Sequence, residues 1–294
     1  MRVGVVILPQ FDAPETTRRW KALEDMGFAH GWTYDHLAWR DLADEPWHAT
    51  MPTLTVAAMA TNTLRIGTWV ASPNFRHPVT LAKDLMTLDV ISGGRVIAGI
   101  GAGGIGWDSA VLGRPALPPR ERVDRLAEFV ELTDVLLREQ VTTWRGDHFE
   151  AVDARTRPGC VQDPRLPIVV AANGPRSMRI AATLGDGWAT TGAAANDIES
   201  WWAGILTTVR TFDDVAAKAG RDPATIDRYL SLDGAPVFSL ASVEAFVDAA
   251  GLAAELRFTD VITHWPRASK QYVGDPAVLE KVAGLLGDGG HVQL

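Results

Sequence analysis

Cysteine is almost absent: Cys160 is the only one in 294 residues. A single thiol excludes an internal disulfide and fits a reducing cytoplasm. Such an unpartnered thiol is more often an inert side chain than a nucleophile. Positive charge is also scarce. Lys and Arg total 28 against 36 Asp and Glu, a formal net charge of -8, and no basic cluster stands out. That argues against nucleic acid or an anionic membrane as the main partner. No apolar run reaches the roughly 20 residues of a transmembrane helix. The apolar part of the N-terminal MRVGVVILPQF is too short for a signal-peptide core, so a cytoplasmic location is expected. Two further absences concern chemistry. His36, His48, His77 and His148 are scattered, with neither H-x-x-x-H nor H-x-H spacing, so no metal site is expected. The chain has no G-x-S-x-G elbow, which disfavours a hydrolase of that type.

What the chain does have is 47% hydrophobic residues, enough for one large core or two modest domains. Short apolar runs alternate with helical patterns from end to end. Strands are expected at Val3–Leu8, His30–Tyr34, Arg65–Ala71, Arg95–Gly101, Ile168–Ala172, Trp188–Thr191, Tyr229–Leu232 and Asp260–His264. Helices are expected at Glu15–Met26, Thr53–Ala60, Val79–Ile91, Arg120–Arg138, Arg176–Leu184, Ile198–Ala219, Val243–Ala253 and Pro276–Leu286. Eight strand–helix alternations without a composition break predict an α/β fold, a (β/α)8 TIM barrel, with residues 1–294 as a single domain. The rival is an open doubly wound sheet, whose usual sign is a glycine-rich turn after the first strand. Here Pro9–Pro14 follows that strand and contains no glycine. In a barrel, the irregular segments Leu37–Met51 and Gly101–Pro119 both fall on the catalytic face.

The most informative stretch is Pro167–Gly192, PIVVAANGPRSMRIAATLGDGWATTG. A strand runs through Asn173-Gly174-Pro175 into an amphipathic helix. Such a turn leaves backbone N–H groups free at the positive end of a helix, where a phosphate sits well. Gly174 permits close approach, and Pro175 suits the first helical position. An ordinary βαβ connection reads the same way. Gly101–Gly106 matches G-x-G-x-x-G but runs on into Trp107-Asp108 and a proline-rich segment, not directly into a helix. It is read as a strand end beneath a flat ligand, or else as a plain loop. Tyr34-Asp35-His36 ends the second strand. Adjacent strand residues point to opposite faces, so the Asp and the His need not touch. Solvated turn residues are the simpler account of that pair. Arg76 and His77 could meet an anion, or Asn74–His77 could simply be a capped loop before a helix.

These pieces resemble the bacterial luciferase-like superfamily of flavin- and deazaflavin-dependent oxidoreductases. The resemblance rests on Thr33–Leu37, Arg76-His77-Pro78, Leu88–Arg95, Gly99–Gly103 and Ala171–Trp188, in that order and spacing. It covers about two thirds of the chain. It implies a (β/α)8 barrel, a homodimer, and a cofactor at the strand C-termini. Carried over residue by residue, it makes His36 the proton donor or acceptor and Asp35 an acid near the cofactor. Val70, Ala71 and Ser72 match a bulge, often with a non-proline cis bond, that backs the cofactor ring. Ala102 and Gly103 match the strand-four contact, and Asn173, Gly174, Arg176 and Ser177 the phosphate turn. The family's sugar-phosphate dehydrogenases have a glutamate where this chain has Gly104, and a lysine where Ala193–Ala195 stands, so a sugar phosphate is not expected. Trp32, Trp39, Trp69, Trp107 and Trp188 point to a small apolar or aromatic organic substrate, although several must be core. The implied reaction is hydride transfer with F420, with His36 handling a proton. The alternatives are an FMN-dependent monooxygenase using reduced FMN and O2, and a non-catalytic flavin-binding barrel.

Overall fold

Parallel pairing carries the chain round a full circle. The computed structural model describes residues 1–104 and 107–293. The first four strands are β1 (Arg2–Val6), β2 (His30–Thr33), β3 (Arg65–Thr68) and β4 (Val96–Gly101). An antiparallel hairpin follows, β5 (Val141–Arg145) and β6 (Glu150–Arg155). The circle continues with β7 (Ile168–Ala171), β8 (Gly187–Thr190), β9 (Asp227–Ser231) and β10 (Asp260–His264). It closes where β10 pairs with β1, from Arg2 opposite Asp260 to Val6 opposite His264. The fold is therefore the expected (β/α)8 barrel, and no open sheet edge remains at the β1–β10 seam.

Helices cover the outside: α1 (Ala13–Asp25), α2 (Thr50–Ala60), α3 (Pro78–Ser92), α4 (Trp107–Val111), α5 (Pro119–Arg138), α6 (Pro175–Leu184), α7 (Ile198–Lys218), α8 (Val243–Glu255) and α9 (Pro276–Ala283). Their ends follow side-chain chemistry. The carboxylates of Asp12, Asp197 and Asp275 and the hydroxyl of Ser242 accept N–H groups in the first turns of α1, α7, α9 and α8. α3 stops at Gly93, which takes φ +68° in the left-handed region.

Strand alternation sorts the core into two layers. Val3, Val5, Val96, Ala98, Ile168 and Val170 face the helices. Val6, Trp32, Trp69, Ile97, Val169, Tyr229 and Ile262 fill the barrel interior. Trp32 is the largest of these that is fully buried. Gly67 makes room for it: a Cβ there would lie 2.5 Å from Trp32 Cζ3.

Three features depart from the sequence expectations. The β5–β6 hairpin lies outside the eight strands that periodicity marks. It is tied to α5 by Glu128, whose carboxylate accepts the N–H groups of His148 and Phe149. The closing helix ends at Ala283 instead of Leu286. Beyond it, β11 (Leu286–Gly287) and β12 (His291–Val292) fold back, and Arg2 pairs with His291. The third strand leaves the regular ladder after Thr68. The early end is the departure; the Trp69–Val70 peptide is cis, as the resemblance implies for this bulge, and Ala71 then pairs with Ile100.

Candidate active site

A cleft of ≈ 340 Å³ opens at the C-terminal ends of the barrel strands. Five strands supply its walls. The segment after β2 contributes Tyr34, His36, Trp39 and Arg40, and the end of β3 contributes Trp69, Val70 and Ser72. Gly101, Ala102, Gly103 and Gly104 come from β4. Ala171, Ala172 and Asn173 come from β7, and Ala189, Thr190 and Thr191 from β8. One side is thus a slot of glycine and alanine, and the other is aromatic. Gly103 takes φ +73°, and a Cβ on it would strike Asn74 Nδ2 at 2.1 Å, so only glycine fits there. Ile105 and Gly106, the end of the G-x-G-x-x-G run, lie outside the described residues.

His36 is held by a residue that sequence reasoning did not single out. Its Nδ1 donates to Asp108 Oδ2 at 2.8 Å, and the Leu37 N–H donates to Asp108 Oδ1 at 2.7 Å. An ionised carboxylate only accepts, so the proton sits on Nδ1 and Nε2 is the nitrogen left for the cleft. Asp108 is buried, and His36 is 22% exposed. Trp47 Nε1 donates to the His36 carbonyl at 2.8 Å and fixes the backbone beneath.

Asp35 points the other way. It is completely buried and does not line the cleft. Arg76 grips it through two hydrogen bonds of 2.7 and 3.0 Å. Burial would lower the Arg76 pKa, but Asp35 outweighs it and the net shift is upward. The alternation of a strand end explains the split: with His36 turned inward, Asp35 must turn outward. The anion role weighed for Arg76 and His77 is likewise taken up by structure. Arg76 serves Asp35, and His77 Nδ1 caps α3 by accepting the Val79 N–H at 3.2 Å.

The turn after β7 is locked to β8. Asn173 Oδ1 accepts from Thr190 Oγ1 at 2.6 Å, while its Nδ2 donates to Thr191 Oγ1 at 3.2 Å. Gly174 is the N-cap of α6, and a Cβ there would meet nothing within 4 Å, so the space over it is open. The first helical hydrogen bond is Met178 N to Gly174 O. The N–H groups of Arg176 and Ser177 precede it and have no hydrogen-bond partner among the described residues. The Arg176 guanidinium turns outward to Asp124 at 2.5 Å, and the Ser177 hydroxyl bonds back to the Gly174 carbonyl. Val70, Ser72, Ala102, Gly103 and Asn173 line the cleft; Ala71 is buried in the wall behind it. Of the five tryptophans weighed for the substrate, Trp39 and Trp69 line the cleft, Trp32 and Trp188 are core, and Trp107 is half exposed.

A second buried network borders the aromatic side. His264 Nδ1 donates to Asp233 Oδ2 at 2.7 Å, which leaves His264 Nε2 to accept from the Tyr34 hydroxyl at 2.8 Å. Tyr34 accepts in turn from Tyr272 at 2.8 Å, and the Tyr272 ring stacks on His264 with centroids 3.6 Å apart. Burial and the neighbouring Tyr272 push the Tyr34 phenol well above its ordinary pKa, and burial pushes Tyr272 up to about 12. Both therefore stay protonated. No group of three or more metal-ligating side chains occurs among the described residues, and none of their helices is long and apolar enough to cross a membrane.

Comparison with known proteins gives this geometry a context. The model of the luciferase-like monooxygenase family matches residues 1–275. An F420-dependent hydroxymycolic acid dehydrogenase of Mycobacterium tuberculosis is 34% identical over 235 residues, 78% of this chain and 61% of that protein. An F420-dependent glucose-6-phosphate dehydrogenase of Amycolatopsis mediterranei is 33% identical over 217 residues, 71% of this chain and 62% of that protein. The chain thus spans about three fifths of the length of these curated relatives. The coenzyme F420-dependent tetrahydromethanopterin reductase of Methanopyrus kandleri shares the fold, with a TM-score of 0.76 at 19% identity over 96% of this chain and 97% of that one.

Proposed function

The chain belongs to the luciferase-like monooxygenase family, and from that premise we propose that it is an F420-dependent oxidoreductase acting on a small organic substrate. One observation carries the proposal. His36 lines the cleft while Asp108 engages its Nδ1 at 2.8 Å and leaves Nε2 free, the arrangement of a general acid or base with its orienting carboxylate.

The cleft residues fit the cofactor. The Gly101–Gly104 and Ala171–Ala172 wall leaves room for a flat ring, which Val70, Ser72 and Ala102 would hold, with Ala71 buried behind them. The open space over Gly174 and the N–H groups of Arg176 and Ser177 suit a phosphate beside Asn173. In this reading Asp35 acts at one remove: through Arg76 it fixes the strand end from which His36 projects. F420, when bound, supplies a ring carbon that takes up or gives a hydride. The protein's own part is proton handling. His36 Nε2 receives the proton leaving a substrate oxygen, or returns it in the reverse direction, and Asp108 stabilises the imidazolium that forms. The names of the F420-dependent relatives support this cofactor over FMN. The same reading includes a homodimer and a cytoplasmic setting. The family resemblance and the single cysteine support them, and sedimentation velocity tests the dimer.

Titrating the protein with F420 and with FMN tests the proposal. F420 binding, with turnover that collapses in His36→Ala, is the expected result. Tight FMN binding with F420 excluded would overturn it in favour of a monooxygenase. Cofactor binding with no activity lost in His36→Ala would favour a non-catalytic barrel.

A further inference from the structure

Arg40 stands apart electrostatically. It lines the cleft beside Tyr34, His36 and Trp39. No Asp, Glu or Lys lines that cleft among the described residues, so Arg40 carries its one permanent side-chain charge. Among those residues Arg40 also has no ion-pair or hydrogen-bond partner for its guanidinium. Asp41, the next residue, faces Gln271 at 3.5 Å and not Arg40, and three further carboxylates have other partners. Glu45 takes Arg267 and Lys270, each at 2.8 Å. Asp108 holds His36, and Asp233 holds His264. Arg40 is exposed, so it sets an unpaired cation at the solvent edge of an aromatic cleft in a chain of net charge -8.

Its position is built. The Arg40 backbone takes φ +45°, where L residues are uncommon. The next residue but one anchors it: Leu42 is fully buried, and its N–H bonds to the Trp39 carbonyl at 2.9 Å. The guanidinium lies over the Trp39 ring, 4.7 Å from the centroid, which limits where it can swing. The anion-ready turn at Asn173–Ser177 belongs to β7, three strands round the barrel from β2. The cleft therefore has two separate places for negative charge.

We infer that Arg40 anchors an anionic group of the substrate, a carboxylate or a phosphate, whose apolar body rests against Trp39 and Trp69. A planar guanidinium pairs with either anion through two parallel hydrogen bonds. The word "substrate" rests on the function proposed above; the anion site itself does not.

The test uses benzoate and phenyl phosphate as anionic probes and benzyl alcohol as a neutral one. Each is titrated calorimetrically into the protein with and without F420. We expect the anions to bind more tightly than the alcohol. Arg40→Ala should lose about tenfold or more of the anion affinity and none of the alcohol's. Arg40→Lys should recover part of it, and added salt should weaken the anions alone. Arg40→Gln, which keeps length and polarity, guards against misfolding, with thermal melts as the check. Preference for benzoate identifies a carboxylate, and preference for phenyl phosphate a phosphate. Equal binding of anions and alcohol, no effect in either neutral variant, or no anion binding to the wild type would overturn the inference. So would displacement of F420 by benzoate, because the cation would then serve the cofactor. A protein that binds benzoate through Arg40 but never F420 would sink the proposed function and leave the anion site standing.

Discussion

His36 Nδ1 lies 2.8 Å from Asp108 Oδ2, although 72 residues separate the two in the chain. One comes from the end of β2 and the other from the helix after β4. The contact sets the tautomer of His36 and so decides which nitrogen faces the cleft. Replacing His36 with Ala should lower turnover by about 10²–10⁴ while F420 affinity changes little. Asp108→Asn should cost about tenfold or more, with an altered pH profile, since an amide stabilises an imidazolium poorly. Steady-state kinetics beside fluorescence titration of F420 separates chemistry from binding.

The Asp233–His264–Tyr34–Tyr272 chain ties the ends of β2 and β9 to the loop after β10. Tyr34→Phe strands an acceptor on His264 and a donor on Tyr272. It should destabilise the fold by about 1–3 kcal/mol, read from urea unfolding. An unchanged midpoint would show that the network does not contribute to stability.

Glu24 gives a pH signature at the opposite end of the barrel. Burial would raise its carboxyl, but the N–H groups of Thr63, Leu64 and Asn62 hold it down, from 4.5 to about 2. A carboxyl depressed in the folded state adds stability that is fully present above its unfolded value and is lost as pH falls through the folded one. The stability gap between wild type and Glu24→Gln should therefore be constant above pH 5 and shrink between 4.5 and about 2. Denaturation midpoints measured across that range check the direction.

Trp32 fills the barrel interior and packs on Trp69 with centroids 5.1 Å apart. Trp32→Ala should cost about 3–5 kcal/mol, because the closed strands cannot collapse onto the cavity. Gly67→Ala should also destabilise, by about 1–3 kcal/mol, since its methyl would enter the Trp32 ring. Calorimetric unfolding of both variants reads the two effects from opposite sides of one contact.

Much of the architecture is legible in residue order alone. Hydrophobic periodicity is a local signal, and each of the eight barrel strands overlaps the run where that signal places it. The Asn173-Gly174-Pro175 turn is likewise visible as a helix start. The β5–β6 hairpin leaves no such signal, because its strands are mostly exposed and lack a strong apolar face.

Tertiary closure settled the rest. No spacing rule links His36 to Asp108, Tyr34 to His264, or Arg76 to Asp35. They meet because closing the barrel brings the strand C-termini to one rim. The direction of each side chain there follows from strand alternation and from what is packed behind it. That is why neighbouring Asp35 and His36 take opposite roles, one clamped in the wall and the other open to the cleft. It is also why Arg40, one of 28 cations in the sequence, is left without a counter-charge in the cleft. Residue types and local elements are properties of neighbours in sequence; a site is a property of neighbours in space.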